Sequence, residues 1–126
     1  MSFKSQLGRV RGLGSAKEGS AHWWSQRLTA IALVPLTIWF AVSVAALAGA
    51  DYQTMRAWVG SPVVAVLLIS VILATFYHAY LGLQVVIEDY VHHEAVKIVV
   101  LIFVKGACFL LGLIAVVSVL SILFAG

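Results

Sequence analysis

Apolar residues in this 126-residue chain run in three long blocks broken by short polar interruptions. Residues 28–50 and 61–87 contain no Asp, Glu, Lys or Arg; residues 96–124 carry Lys97 at their edge and Lys105 within. As a helix, the first block would extend about 35 Å at 1.5 Å per residue, enough to cross a hydrocarbon layer of about 30 Å with some tilt. Lipid offers no hydrogen-bond partners to the backbone, and the connections are too few and too short for a many-stranded barrel. All three blocks are therefore predicted to be transmembrane helices. Pro62 suits the first turn of the second, where its missing N–H has no partner to lose. Pro35 lies inside the first, where a kink is tolerated if a neighbour satisfies the freed carbonyl.

Composition agrees with that pattern. The chain is 63% hydrophobic and 10% charged, with a mean hydropathy of +1.06, far too apolar for a water-soluble domain of this length. The expected organisation is an irregular, basic N-terminal arm and interfacial segment over residues 1–27, followed by a membrane domain over 28–126. A cleaved signal is not expected, because the first apolar run exceeds the roughly 7–15 residues of a signal core. Cys108 is the single cysteine; it can form no internal disulfide and reads as inert packing in the third span.

Charge adds an orientation. Lys4, Arg9, Arg11, Lys17 and Arg27 precede the first span with one acid, Glu18, whereas the first loop holds only Arg56 as a base. The positive-inside bias puts the N-terminus and the second loop in the cytoplasm. A cationic arm suits anionic headgroups or an acidic protein surface. It lacks the aromatic interleaving and the recognised fold that nucleic-acid binding would bring.

Against this apolar background a few side chains stand out. His78 lies about nine residues, roughly 14 Å, from the inner end of the second span, where an imidazole needs a hydrogen-bond partner or a cofactor. An interhelical hydrogen bond to a carbonyl or hydroxyl satisfies that need as well as a metal does. Gly82, four residues on and about 40° around the helix, leaves space beside the ring for a flat macrocycle or for a tightly packed neighbour. The other histidines, His22, His92 and His93, fall at the interface or in water. A haem held by two imidazoles at depth would therefore need its second ligand from another subunit. Asp89 follows His78 by three turns plus about 20°, so the two share a face if the helix continues that far. With Tyr90 it sits at the membrane boundary, where a phenol and a carboxylate can bond quinone carbonyls and pass protons from water. The plainer alternative is a polar loop with an interfacial tyrosine. His22, Trp23, Trp24, Ser25, Gln26 and Arg27 likewise read either as an aromatic belt with a snorkelling arginine or as part of a site. Lys105 has three candidate partners, a haem propionate, a lipid phosphate and Asp89, and contact with a partner or lipid is expected before direct chemistry.

The stretch from His78 to Tyr90, with Ala79, Gly82, Asp89 and Tyr90 at its fixed points, resembles the His-Ala-x-x-Gly segment ending in Asp-Tyr of the D-type hydrophobic membrane-anchor subunits of succinate dehydrogenase, respiratory complex II. The lead-in from His22 to Ala30, with Arg27 and Thr29-Ala30, is similar to that family's approach to its first helix. The resemblance covers residues 20–126. It implies an all-α integral membrane protein of three transmembrane helices that packs with a partner anchor subunit around haem b. It further implies that His78 is an axial ligand to the haem iron and that Tyr90 bonds ubiquinone with Asp89 beside it. Arg27 would lie at a haem propionate or the quinone pocket, and His22 would do likewise. The implied partners are a second, cytochrome b-type anchor subunit, an iron–sulfur subunit and a flavoprotein, since this chain has neither the cysteines for clusters nor a flavin fingerprint. The implied place is the bacterial cytoplasmic membrane, or the mitochondrial inner membrane. Two rival readings remain: the anchor of a quinol:fumarate reductase, and a non-catalytic membrane adaptor whose His78 only joins two helices.

Overall fold

The computed structural model describes residues 13–125, and these contain four helices and no strand: α1 (Leu13–Ala46), α2 (Tyr52–Val59), α3 (Pro62–Tyr90) and α4 (Glu94–Phe124). Three are long and apolar enough to cross a bilayer, over Gly19–Ala46, Pro62–Tyr90 and Glu94–Phe124. At 29 residues α3 extends about 44 Å, so its ends reach past a hydrocarbon core of about 30 Å into the headgroup zones.

The boundaries differ from the sequence expectation in three places. Helix α1 begins at Leu13, so part of the arm expected to be irregular is helical; Lys4, Arg9 and Arg11 lie outside the described residues. Hydropathy marks where lipid begins, whereas a helix continues wherever its backbone ladder remains the best way to satisfy N–H and C=O groups near a membrane. Helix α1 also stops at Ala46, where Leu47, Ala48 and Gly49 form a turn with Gly49 at φ 82°, a left-handed conformation that glycine adopts without a Cβ clash. Finally, the first loop is itself mostly helix. Asp51 caps α2 by accepting from Thr54 N at 2.8 Å, and Gly60 ends it.

Helix α3 is the middle of the row. It packs against α1 on one side and α4 on the other, while α1 and α4 do not meet. Small residues set these contacts. Gly112 of α4 is buried, and a Cβ there would lie 3.5 Å from the Phe76 ring of α3. The most enclosed packing is at the end away from the N-terminus. There Ala65, Leu68 and Val119 are buried and Trp39, Trp58 and Leu123 pack around them. Trp39 stacks on Trp58 with centroids 5.9 Å apart, which fastens α2 to α1. At the opposite end, His93 caps α4 after a link of three residues, and Lys97 pairs with Glu94 at 3.7 Å. A row one helix thick buries few side chains. Large apolar groups along all three spans face outward, as they do where lipid or another apolar chain is the solvent.

Candidate functional site

Antiparallel pairing of α1 and α3 brings the start of one to the end of the other, and two contacts fix the register. Thr29 Oγ1 lies 2.9 Å from His78 Nδ1, and a Cβ on Gly82 would lie 3.6 Å from Gln26 Nε2. His22, Gln26 and Thr29 follow the i, i+4, i+7 spacing of one helical face. His78 and Gly82 form the answering stripe on α3. The space left by Gly82 lies against a neighbouring side chain of the same protein, as the helix-packing alternative for that glycine requires.

His78 is half-buried at this seam. Thr29 Oγ1 is also within bonding distance of two carbonyls of its own helix, Ser25 O at 2.8 Å and Gln26 O at 2.9 Å. The other ring nitrogen of His78, Nε2, makes no hydrogen bond among the described residues and is not fully sealed in. Among the described residues, the two side-chain atoms that are sealed in and unbonded are His22 Nε2 and Gln26 Oε1, on the same face of α1 one turn apart. They mark this end of the seam as more polar than hydropathy alone indicates.

The remaining expected site residues face other directions. Arg27 is exposed, with its guanidinium carbon 5.2 Å from the centroid of Trp23, a cation–π contact, and Trp23 meets Trp24 edge-on at 5.0 Å. Helix α3 does continue through Tyr90, so Asp89 falls on the His78 face as the spacing requires. Asp89 is exposed, and Tyr90 is 76% exposed at the last turn. Glu88 is engaged locally, accepting from Gln84 Nε2 at 3.1 Å. By the register above, Arg27 stands level with residues near 81, about eight or nine residues of helical rise, roughly 13 Å, deeper than Tyr90. Arg27 and Tyr90 therefore lie at different levels, Arg27 closer to His78 and Tyr90 at the end of α3.

Lys105 makes no ion pair among the described residues. It lines an apolar groove of about 650 Å³ between α3 and α4, together with Phe76, Tyr77, Tyr80 and Phe109. No three His, Cys, Asp or Glu side chains gather among the described residues to hold a bare metal ion. Sequence reasoning missed Gln26 and Thr29 as partners of the His78 face. The polar spacing 22, 26, 29 in an otherwise apolar approach was the available signal.

Comparison with known proteins bears directly on this arrangement. Residues 1–124 match the family model described as succinate dehydrogenase/fumarate reductase transmembrane subunit. The chain is 35% identical over 103 residues to the succinate dehydrogenase hydrophobic membrane anchor subunit of Rickettsia bellii, covering 82% of each chain. It is 33% identical over 107 residues to the protein of the same name from Rickettsia conorii, covering 84% of this chain and 85% of that one. A relative of that name from Paracoccus denitrificans is 33% identical over 81 residues, 64% of this chain and 63% of that one. Three helices long and apolar enough to cross a membrane, and these matches, together establish that the chain belongs to the succinate dehydrogenase hydrophobic membrane anchor subunits.

Proposed function

We propose that this chain anchors a succinate:ubiquinone oxidoreductase in the membrane, donates one axial ligand to a haem b shared with a second anchor subunit, and forms part of the ubiquinone-reduction site. The observation that carries the proposal is His78: an imidazole at membrane depth, within bonding distance of Thr29 at Nδ1, with Nε2 neither bonded among the described residues nor fully sealed in. A lone imidazole, with no metal-holding group of three His, Cys, Asp or Glu among the described residues, suits a haem, whose iron His78 would help to hold. This chain offers one deep histidine, so the second ligand comes from the partner. When bound, such a group would supply one-electron redox chemistry beside the quinone.

The chain's own groups divide the remaining work by depth. Arg27, near the level of His78, is suited to a propionate or to the inner part of the quinone pocket. Tyr90 donates its phenolic hydrogen to a quinone carbonyl, while Asp89 beside it exchanges protons with the aqueous phase. His22, with a sealed and unbonded Nε2, lies on the α1 face that carries Gln26 and Thr29 and serves the same end. The charge bias puts that end in the cytoplasm, where the flavoprotein and iron–sulfur subunits would dock. The anchor of a quinol:fumarate reductase would use the same residues in the opposite direction.

One observation favours a plainer role for His78. Its contact with Thr29 is the interhelical hydrogen bond that a purely structural histidine would make. The intact complex carrying His78→Leu separates the two readings. The ligand role predicts loss or replacement of the wild-type b-type difference spectrum and of the low-spin ferric signal. An unchanged spectrum at normal haem content would reduce His78 to a helix-joining residue.

A further inference from the structure

The geometry points to Thr29 as the positioning residue that fixes the tautomer and orientation of His78, holding the ring with Nδ1–H toward α1 and leaving the lone pair on Nε2. The inference rests on the proposed role of His78 as an iron ligand and adds a residue that neither the motif nor the family match assigns.

The proton count favours one direction for this bond, whose donor and acceptor follow from the His78 tautomer. Thr29 has a single hydroxyl hydrogen and three acceptors within reach: Ser25 O at 2.8 Å, Gln26 O at 2.9 Å and His78 Nδ1 at 2.9 Å. Two of these are backbone carbonyls whose lone pairs lie in the hydroxyl's natural back-bonding path on a helix, and a carbonyl can only accept. Given that hydrogen, the carbonyls leave Thr29 Oγ1 with its lone pairs toward α3. A lone pair facing Nδ1 requires a hydrogen there, so Nδ1–H donates to Oγ1 and the neutral ring carries its free pair on Nε2. The opposite assignment would put the hydrogen on Nε2, which could then donate but not ligate. Ligating histidines commonly donate their second ring N–H to a fixed acceptor, which sets ring rotation and raises ligand basicity. Here the acceptor is itself immobilised, because Thr29 is pinned to its own helix and α1 is held to α3 through Gln26 and Gly82.

The test compares the wild-type complex with Thr29→Val, which keeps the side-chain volume without the hydroxyl, Thr29→Ala as a second hydroxyl-free form, and Thr29→Ser, which restores the acceptor. Each is purified as the whole complex, with His78→Leu as the control for the ligand role. The readouts are the rate of haem transfer to excess apomyoglobin, the haem midpoint potential and the low-spin ferric spectrum. We expect the hydroxyl-free variants to release haem about 10–100-fold faster, the range typical of lost partners to a metal ligand. Their midpoint should rise, since a less basic imidazole supports the ferric state less. Thr29→Ser should return all three readouts to wild-type. Unchanged release and potential in Thr29→Val would overturn the inference while leaving His78 as a ligand if His78→Leu still alters the spectrum. If His78→Leu is silent, or the wild-type complex holds no haem, the ligand reading fails and Thr29 with it. Failure of both hydroxyl-free variants to assemble while Thr29→Ser is intact would assign Thr29 to helix packing and also overturn the inference.

Discussion

Tyr90 presents its phenol at the last turn of α3 with three-quarters of its surface open, so its hydroxyl is free to act on something outside the chain. Tyr90→Phe removes one donor and almost no volume. The account predicts normal assembly and haem content with quinone reduction lowered about 10-fold or more, in line with the loss of a positioned proton donor. Steady-state quinone kinetics of the purified variant check this, and normal kinetics would remove Tyr90 from the site. At this scale the sequence was informative wherever the bilayer makes a residue costly. His78 stands out because an imidazole at depth must be partnered, and its spacing to Asp89 holds because the helix runs through Tyr90. Thr29 was not visible in the same way. A threonine in an apolar helix ordinarily bonds back to its own carbonyls, as this one does. Only the register of two helices brings it opposite His78, and no single segment encodes that register.

Pairing of the elements depends on where side chains are missing. A methyl on Gly82 would meet Gln26 Nε2 at 3.6 Å, ordinary contact, so Gly82→Ala should assemble normally. Gly82→Leu would force α1 from α3, and overpacking of this kind costs about 1–3 kcal/mol. The expected outcome is reduced complex yield and a displaced haem potential, since Thr29 is carried away from His78. Equal yield and potential for Gly82→Leu would show that the α1–α3 contact is not needed. At the other end, hydrogen bonds from Thr54, through its side chain first and then its backbone N–H, hold the Asp51 carboxyl below the ordinary carboxylate value of 3.8. A folded-state value below the unfolded one stabilises the cap above the unfolded value, and the benefit is lost as pH falls through the depressed folded value. A pH titration of the Thr54 amide resonance should therefore show a midpoint below 3.8; a midpoint at or above that value would contradict the cap. Helix α2 was readable from the sequence in principle: Asp51 before it, Gly60 after it, and Met55, Trp58 and Val59 at helical spacing between. Its 8 residues give only about two turns of periodicity, too few to separate a short helix from a polar loop. The early start of α1 was hidden for a different reason, since hydropathy reports lipid contact and not helicity.

Taken as a whole, the protein is a row of three spans with α3 in the middle and both broad faces open. The described core is confined to Ala65, Leu68, Leu81, Ile87 and Val119, and outward-facing groups such as Phe103, Phe109 and Leu111 need lipid or another chain against them. The chain purified without partners is therefore predicted to aggregate in mild detergent and, on the proposed role of His78, to bind haem weakly, because it would bring one axial ligand where two are required. Size exclusion with an added-haem titration checks this, and tight stoichiometric binding by the chain alone would contradict the shared ligand. Three spans were legible from hydropathy alone. Their arrangement in a row was not, because sequence records which residues avoid water and, in lipid, that is nearly all of them. The most direct test of the account is to recover the tagged chain from native membranes in mild detergent and to read one sample by mass spectrometry and by a reduced-minus-oxidised spectrum. The account predicts a flavoprotein, an iron–sulfur protein and a second small membrane subunit together with a b-type spectrum; recovery of the chain with none of these and no haem would contradict it.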